Sequence, residues 1–153
     1  MIPIPKSVTQ LYETDFVAWT EETVQLIQAG QFGQVDWDAV IEEIESLGRS
    51  DRRELKSRLE VLLQHLLKWQ HQSSLRSSSW RNTIDEQRNR IADLLQESPS
   101  LKSYPEEVLA QCYDRGFKAA SNETELPINT FPVECPYAIA QVLDAEFLPD
   151  AID

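Results

Sequence analysis

The chain has 153 residues, of which 26 are acidic and 14 are basic, so its formal net charge is −12. An acidic surface argues against general binding to nucleic acids or to anionic membranes, because phosphate groups repel it. No apolar run approaches the roughly 20 residues that span a bilayer. The first residues also lack the pattern of a signal peptide, so we expect a cytoplasmic protein.

The charge is distributed unevenly along the chain. Residues 1–48 hold one basic and nine acidic side chains, and residues 103–153 hold two basic and ten acidic ones. The middle, residues 49–102, holds eleven basic and seven acidic side chains. Two interpretations follow: the segments fold on each other and partly neutralise their charges, or an exposed basic strip binds an anionic partner.

Apolar periodicity predicts two helices in the first third of the chain. One apolar seam, with spacings of three and four residues, predicts a first helix that ends at Gly30. Its members are Tyr12, Phe16, Trp19, Thr23 and Leu26. Asp36 is a suitable N-cap for a second helix, which Gly48 would end. The apolar side of that helix consists of Trp37, Val40, Ile41, Ile44 and Leu47.

The most apolar helix is predicted over residues 50–71. Its seam repeats the spacings of three and four residues through Leu55, Leu59, Leu62, Leu66 and Trp69. Further apolar residues, at 61, 63 and 67, widen this surface beyond a stripe. A helix that is apolar on most sides is surrounded by partners, so we place it at the centre of the core.

Three further helices complete the expected fold. We predict a helix from about Ser79 to Glu97, a helix whose first residue is Pro105, and a short last helix that begins at Pro136. Residues 122–135 have no clear period and are predicted to be a loop. No segment alternates with the period of a strand. We therefore predict an all-α, single-domain bundle of about five to six helices over residues 1–153, with 50–71 as the central helix.

Metal and cofactor motifs are missing from the sequence. Di-iron bundles use Glu-x-x-His on two helices, but Leu62 and Lys68 stand three residues before His65 and His71. The two cysteines do not have zinc-site spacing. There is no phosphate-binding glycine loop and no nucleophile elbow. We therefore predict no catalytic residues, no metal and no cofactor.

The turn that follows the central helix is a candidate anion site. Basic side chains and serines surround the start of the next helix, where free N–H groups favour an anion. The candidate residues are Lys68, His71, Arg76, Ser78, Ser79 and Arg81. The alternative is structural: a serine caps the helix, and the arginines pair with the acidic ends of the chain.

A second candidate is a buried polar or ligand site made of Glu43, His65, Trp69 and Arg88. Arg88 falls beside an apolar seam, so it needs a buried partner, and we expect a structural pair with Glu43 or Glu45. His65 lies at the margin of the central seam, and we expect its imidazole to bond to a carboxylate such as Glu43. A metal or substrate site near His65 is the alternative.

Six segments carry a resemblance to a known family. They are Leu11–Phe16 with Trp19, Glu42–Ser50, Leu62–Gln70, Arg76–Trp80 with Thr83 and Ile84, Cys135–Tyr137, and Gln141–Asp144. Together they resemble domain of unknown function 29, a family found largely in cyanobacteria. The resemblance covers nearly the whole chain and implies an all-helical, cytoplasmic protein without an established activity. It implies no catalytic residues.

We therefore expect a non-catalytic protein–protein interaction module, of an inhibitor or antitoxin-like type. The acidic charge suits a partner with a basic surface. The alternative is an enzyme, or a protein that binds a small ligand or metal, with its site in the bundle near His65. The sequence does not identify the partner protein, and a homo-oligomer is possible. Nucleic acid is not favoured as a partner.

Overall fold

The computed structural model describes the backbone of residues 6–152 and the side chains of residues 8–152. These residues contain no strand, so the all-α prediction is confirmed. They form six α-helices, which are α1 (Lys6–Thr14), α2 (Phe16–Gln28), α3 (Trp37–His71), α4 (Ser78–Glu97), α5 (Tyr104–Thr124) and α6 (Ile139–Leu143). None of the helices in this part of the chain has the length and apolar character needed to cross a membrane.

The chain forms two compact units, one up to Arg49 and one from Ser50 onward. Each unit has its own cluster of buried apolar side chains. Helix α3 contributes residues to both units, because it runs without interruption from Trp37 to His71. That the chain behaves as one domain over residues 1–153 stays a prediction.

The N-terminal unit contains α1, α2 and the first part of α3. Its core consists of Val8, Trp19, Leu26, Val35 and Ala39. The prediction of a single helix through residues 12–26 is wrong, because the helix is interrupted at Asp15, between α1 and α2. The Asp15 carboxylate accepts a bond of 3.1 Å from the N–H of Ala18, so Asp15 caps α2. Capping satisfies a backbone N–H that a new helix leaves free.

Helix α3 differs from the sequence prediction in length and in the environment of its first part. Gly48 does not end a helix, since α3 continues through it for 35 residues in all. A glycine inside a helix costs only about 1 kcal/mol relative to alanine. The favourable helix formers on both sides outweigh this cost. The apolar side chains of Ile41, Ile44 and Leu47 are 53%, 63% and 69% exposed.

The C-terminal unit surrounds the second part of α3, as the sequence predicted. The leucines at 55, 59, 62, 63, 66 and 67 are completely buried. Helix α5 approaches α3 closely at Gly116, where a Cβ atom would lie 3.2 Å from the carbonyl oxygen of Glu60. Because Gly116 has no Cβ atom, these two helices can pack this closely.

Several helix ends in the C-terminal unit also differ from the prediction. Helix α4 has nearly the predicted bounds, but α5 begins at Tyr104 with Pro105 in its first turn. It continues to Thr124, so the predicted loop over 122–135 begins later. Glu125 follows with a φ of 61°, the left-handed conformation that commonly ends a helix. Helix α6 begins at Ile139, three residues after the predicted start at Pro136.

Candidate functional site

Lys68, the central cation of the predicted anion site, is turned into the C-terminal unit. Its side chain is 4% exposed, and Nζ lies 2.7 Å from Oε1 of Glu123. Nζ also lies 4.5 Å from the centre of the Trp80 ring. The bond from Lys68 lowers the pKa of the Glu123 carboxyl group. The charge of Lys68 is thus balanced by a side chain 55 residues away in the sequence.

The two arginines of the predicted anion site also have protein partners. Nε of Arg76 donates to the carbonyl oxygen of Trp69 at 2.8 Å, and the Arg76 guanidinium lies 4.8 Å from the centre of the Trp69 ring. Nε of Arg81 lies 3.2 Å from Oδ1 of Asp85, one turn further along α4. Arg76 therefore holds the end of α3, whereas Arg81 pairs within its own helix.

The serine segment and His71 of the predicted anion site also make contacts within the protein. Ser77, one residue before the predicted pair Ser78 and Ser79, caps α4 by accepting a bond of 3.2 Å from the N–H of Trp80. The ring of His71 lies edge-on to Phe131, with centres 5.0 Å apart. Burial lowers the pKa of His71, which favours a neutral imidazole. Anion binding in this turn stays a prediction.

Arg88 is buried, as the sequence suggested, but its partners differ from those expected. Only 4% of the residue is exposed, and Nε donates to the carbonyl oxygen of Val142 at 2.8 Å. A second bond of 3.4 Å joins Nη2 to the carbonyl oxygen of Gln141. Burial lowers the pKa of Arg88. The expected pair with a glutamate is therefore wrong, because Arg88 instead binds the carbonyl groups of α6.

The other members of the predicted polar site have separate partners. Glu43 accepts a bond of 2.6 Å from the Tyr12 hydroxyl group. Nδ1 of His65 lies 2.8 Å from the carbonyl oxygen of Val61, so the expected bond to Glu43 is wrong. Burial lowers the pKa of His65. The ring of Trp69 is covered by Arg76.

The cysteines are both free thiols. Burial raises the pKa of Cys112 to about 11 and also raises the pKa of Cys135. Both thiols therefore remain protonated at neutral pH, which disfavours them as nucleophiles or metal ligands. Among residues 8–152, no three His, Cys, Asp or Glu side chains are grouped so that they could hold a metal ion.

Sequence reasoning missed an exposed apolar surface on α2, which we call the α2 face and define by Val17, Glu21 and Val24. The two valines are 65% and 51% exposed. They are seven residues apart, which places them on one side of the helix, opposite buried Trp19. A shallow groove beside them is lined by Thr20, Glu21, Val24 and Gln25. The valine spacing was visible in the sequence, but the stronger aromatic seam took precedence.

A second exposed surface, the α3 face, is defined by Trp37, Ile41, Ile44 and Leu47. Trp37 is 42% exposed and donates from Nε1 to the carbonyl oxygen of Phe32 at 3.0 Å. Asp38, Glu42 and Glu45 are exposed along the same stretch of helix. Exposed large apolar side chains that recur along a helix are typical of protein interaction surfaces.

Comparison with known proteins gives one family. The family described as "Domain of unknown function DUF29" matches residues 11–148. No curated protein and no solved structure matches the chain.

Proposed function

The chain belongs to the DUF29 family, and we propose that it is a non-catalytic protein–protein interaction module of the inhibitor or antitoxin-like type. It would act in the cytoplasm, where the free thiols of Cys112 and Cys135 would remain reduced. The observation that carries the proposal is the α2 face, an apolar surface exposed on an acidic unit.

The α2 face has the chemistry of a small docking surface. Val17 and Val24 offer apolar area that water does not solvate well, and the groove beside Val24 could accept a partner's side chain. Glu21 lies between the two valines and can orient a basic group of the partner.

The charge of the surrounding segment indicates the kind of partner. Residues 1–48 hold nine acidic side chains and one basic side chain. Such a surface attracts a cationic protein and repels an acidic one or a nucleic acid. We therefore propose that the partner presents a basic surface with an apolar centre, which this chain covers when it binds.

The test uses three purified proteins: the wild type, the double variant Val17→Lys/Val24→Lys, and Val133→Lys. Val133 is 89% exposed in the C-terminal unit, so Val133→Lys makes the same chemical change away from the α2 face. Each protein is used to capture partners from extracts of the source cells. The captured partner is then purified, and its affinity is measured by calorimetry at low and high salt.

We expect a basic partner that binds the wild type and Val133→Lys alike. The double variant should bind it about tenfold or more weakly, because it loses apolar area and gains repulsive charge. Affinity should also fall with added salt, since the attraction between the surfaces is screened. Equal binding by the double variant, an acidic partner, or no captured protein would each overturn the proposal.

A further inference from the structure

We propose that a groove in the C-terminal unit, formed by α5 and the segment that follows it, binds an aliphatic polyamine. Such a ligand is a chain of methylene groups that carries two or more ammonium groups. This inference goes beyond the proposed function, because the groove uses different residues from the α2 face and its ligand is a small molecule. The shape, the lining and the charge of the groove favour this ligand.

The groove has two walls that contacts within the C-terminal unit hold in place. One wall is α5, and the other is the segment of residues 133–135. The Tyr113 hydroxyl group of α5 donates to the carbonyl oxygen of Pro132 at 2.6 Å, which ties the second wall to the first. Phe131 anchors the same segment in the core, where it is only 3% exposed. The groove has a volume of about 390 Å³, within the range of about 300–1,000 Å³ that is typical of small-molecule sites.

The lining of the groove combines apolar side chains with two carboxylates. Its residues on α5 share one side of the helix, because the others follow the first by three, four and seven positions. They are Glu106, Leu109, Ala110 and Tyr113. The opposite wall adds Glu134, Cys135 and Val133, which is 89% exposed. The methylene groups of a ligand would cover the apolar side chains, and its ammonium groups would bind the carboxylates.

Both carboxylates of the groove are free to bind a cation. Residues 103–153 hold only two basic side chains. These are Arg115 and Lys118, and each is paired with a carboxylate outside the groove, at 3.5 and 2.9 Å. Among the residues that the structure describes, the carboxylates of Glu106 and Glu134 have no hydrogen-bond or ion-pair partner. A groove of this charge attracts a cation and repels an anion.

The main test is a titration with putrescine, a short aliphatic diamine, followed through the backbone amide signals by nuclear magnetic resonance. Butanediol is the neutral control, because it keeps the carbon chain and replaces each ammonium group by a hydroxyl group. We expect putrescine to shift the amides of α5 near Glu106 and those of residues 133–135 until the site is saturated. Butanediol should leave them unchanged. Added salt should weaken the binding of putrescine, since the attraction is electrostatic.

Three variants test the residues of the groove. Glu106→Gln/Glu134→Gln keeps the size of both side chains and removes both charges, so the dissociation constant for putrescine should rise about tenfold or more. Val133→Lys should have the same effect, because it places an ammonium group in the groove. The matched control Glu125→Gln/Glu146→Gln makes an equal change of net charge at exposed residues outside the groove. It should bind within about twofold of the wild type.

The result for Val133→Lys separates this inference from the proposed function, since that variant should lose the amine and keep the protein partner of the α2 face. The amide spectra also check that each variant stays folded. No shift with putrescine up to about 10 mM, shifts outside the groove, or equal binding of butanediol would each overturn the inference. Undiminished binding by Glu106→Gln/Glu134→Gln, or an equal loss in the control variant, would do so as well.

Discussion

Lys68 shows at the scale of one residue why a basic side chain in a turn need not be a ligand site. Its side chain is 4% exposed, and it is neutralised by Glu123, which is itself 51% exposed. The ring of Trp80 covers the ammonium group at 4.5 Å and adds a cation–π interaction. The role of Lys68 that the structure supports is to fasten the C-terminal part of α3 to α5.

Glu123→Gln should destabilise the protein by about 1 kcal/mol at pH 7, a value reduced because Glu123 is half exposed to solvent. Lys68 lowers the pKa of this carboxyl group in the folded protein. The stabilisation is therefore complete above the ordinary carboxyl pKa of about 4.3 and is lost as the pH falls through the lower folded value. Urea unfolding from neutral pH to about pH 3 measures the difference.

Glu125→Gln is the matched control for this experiment, because Glu125 is exposed just beyond the end of α5. The free energies of unfolding of the wild type and Glu123→Gln should converge as the pH falls. Equal free energies of unfolding of the wild type and Glu123→Gln at neutral pH would show that the bond to Lys68 contributes nothing to stability.

Arg88→Met should lower the free energy of unfolding by about 1–3 kcal/mol, because it leaves buried carbonyl groups without a donor. The carbonyl oxygens concerned belong to Val142 and Gln141, in the last turn of α6. Arg90→Met is the control, since Arg90 is exposed on the same helix. Thermal unfolding of both variants provides the measurement, and equal midpoints would argue against a structural role for Arg88.

At the scale of the helices, the approach of α5 to α3 depends on Gly116. A Cβ atom there would lie 3.2 Å from the Cβ of Leu63 as well as from the carbonyl oxygen of Glu60. We expect Gly116→Ala to destabilise by about 1–2 kcal/mol, because the strain exceeds the gain in helix propensity. Denaturant unfolding measures this change.

The comparison for Gly116 is Gly33→Ala, since an added Cβ at Gly33 would meet no atom within 4 Å. That substitution should leave the stability nearly unchanged. If Gly116→Ala instead stabilised the protein, the two helices would have room to separate slightly, and helix propensity would decide the outcome.

The helices were predictable where many apolar side chains acted together. The six buried leucines of α3 form such a set, so the centre of the C-terminal unit followed from periodicity alone. The sequence analysis missed the new helix start after Asp15 and wrongly ended a helix at Gly48, because capping and glycine change stability by only about 1 kcal/mol each. Neighbouring residues and tertiary packing can outweigh preferences of this size.

The candidate sites were less predictable, because their bonds join residues far apart in the chain. Lys68 and Glu123 are 55 residues apart, and Arg88 and Val142 are 54 apart. Charge type alone identified Lys68 and Arg88 as important but could not supply their partners. The exposure of the α3 face was not predictable either. The spacing of its apolar residues is similar to that of the buried leucines, and spacing alone does not show whether another element covers a helix.

At the scale of the whole molecule, the uneven charge is partly neutralised within the C-terminal unit. Lys68 of the basic middle pairs with Glu123, and Glu60 of the middle lies 3.5 Å from Arg115. Both pairs join the middle of the chain to its acidic end. The Lys68–Glu123 pair supports the interpretation that segments of opposite charge fold on each other. In the Glu60–Arg115 pair each residue has the sign opposite to the net charge of its own segment, and the Arg115 side chain is 67% exposed, so this pair adds little.

Hydrogen exchange of two core variants tests whether the two units form one cooperative domain. Leu26 lies in the core of the N-terminal unit and Leu62 in that of the C-terminal unit, and each substitution by alanine should cost about 2–5 kcal/mol. We expect Leu26→Ala to speed amide exchange in both units, because the protected amides of one cooperative domain exchange through a shared opening. Leu62→Ala should speed exchange in both units, since α1 and α2 depend on a helix that continues into the second core. Unchanged protection of the N-terminal unit in Leu62→Ala would mean two independent domains and would overturn the single-domain prediction.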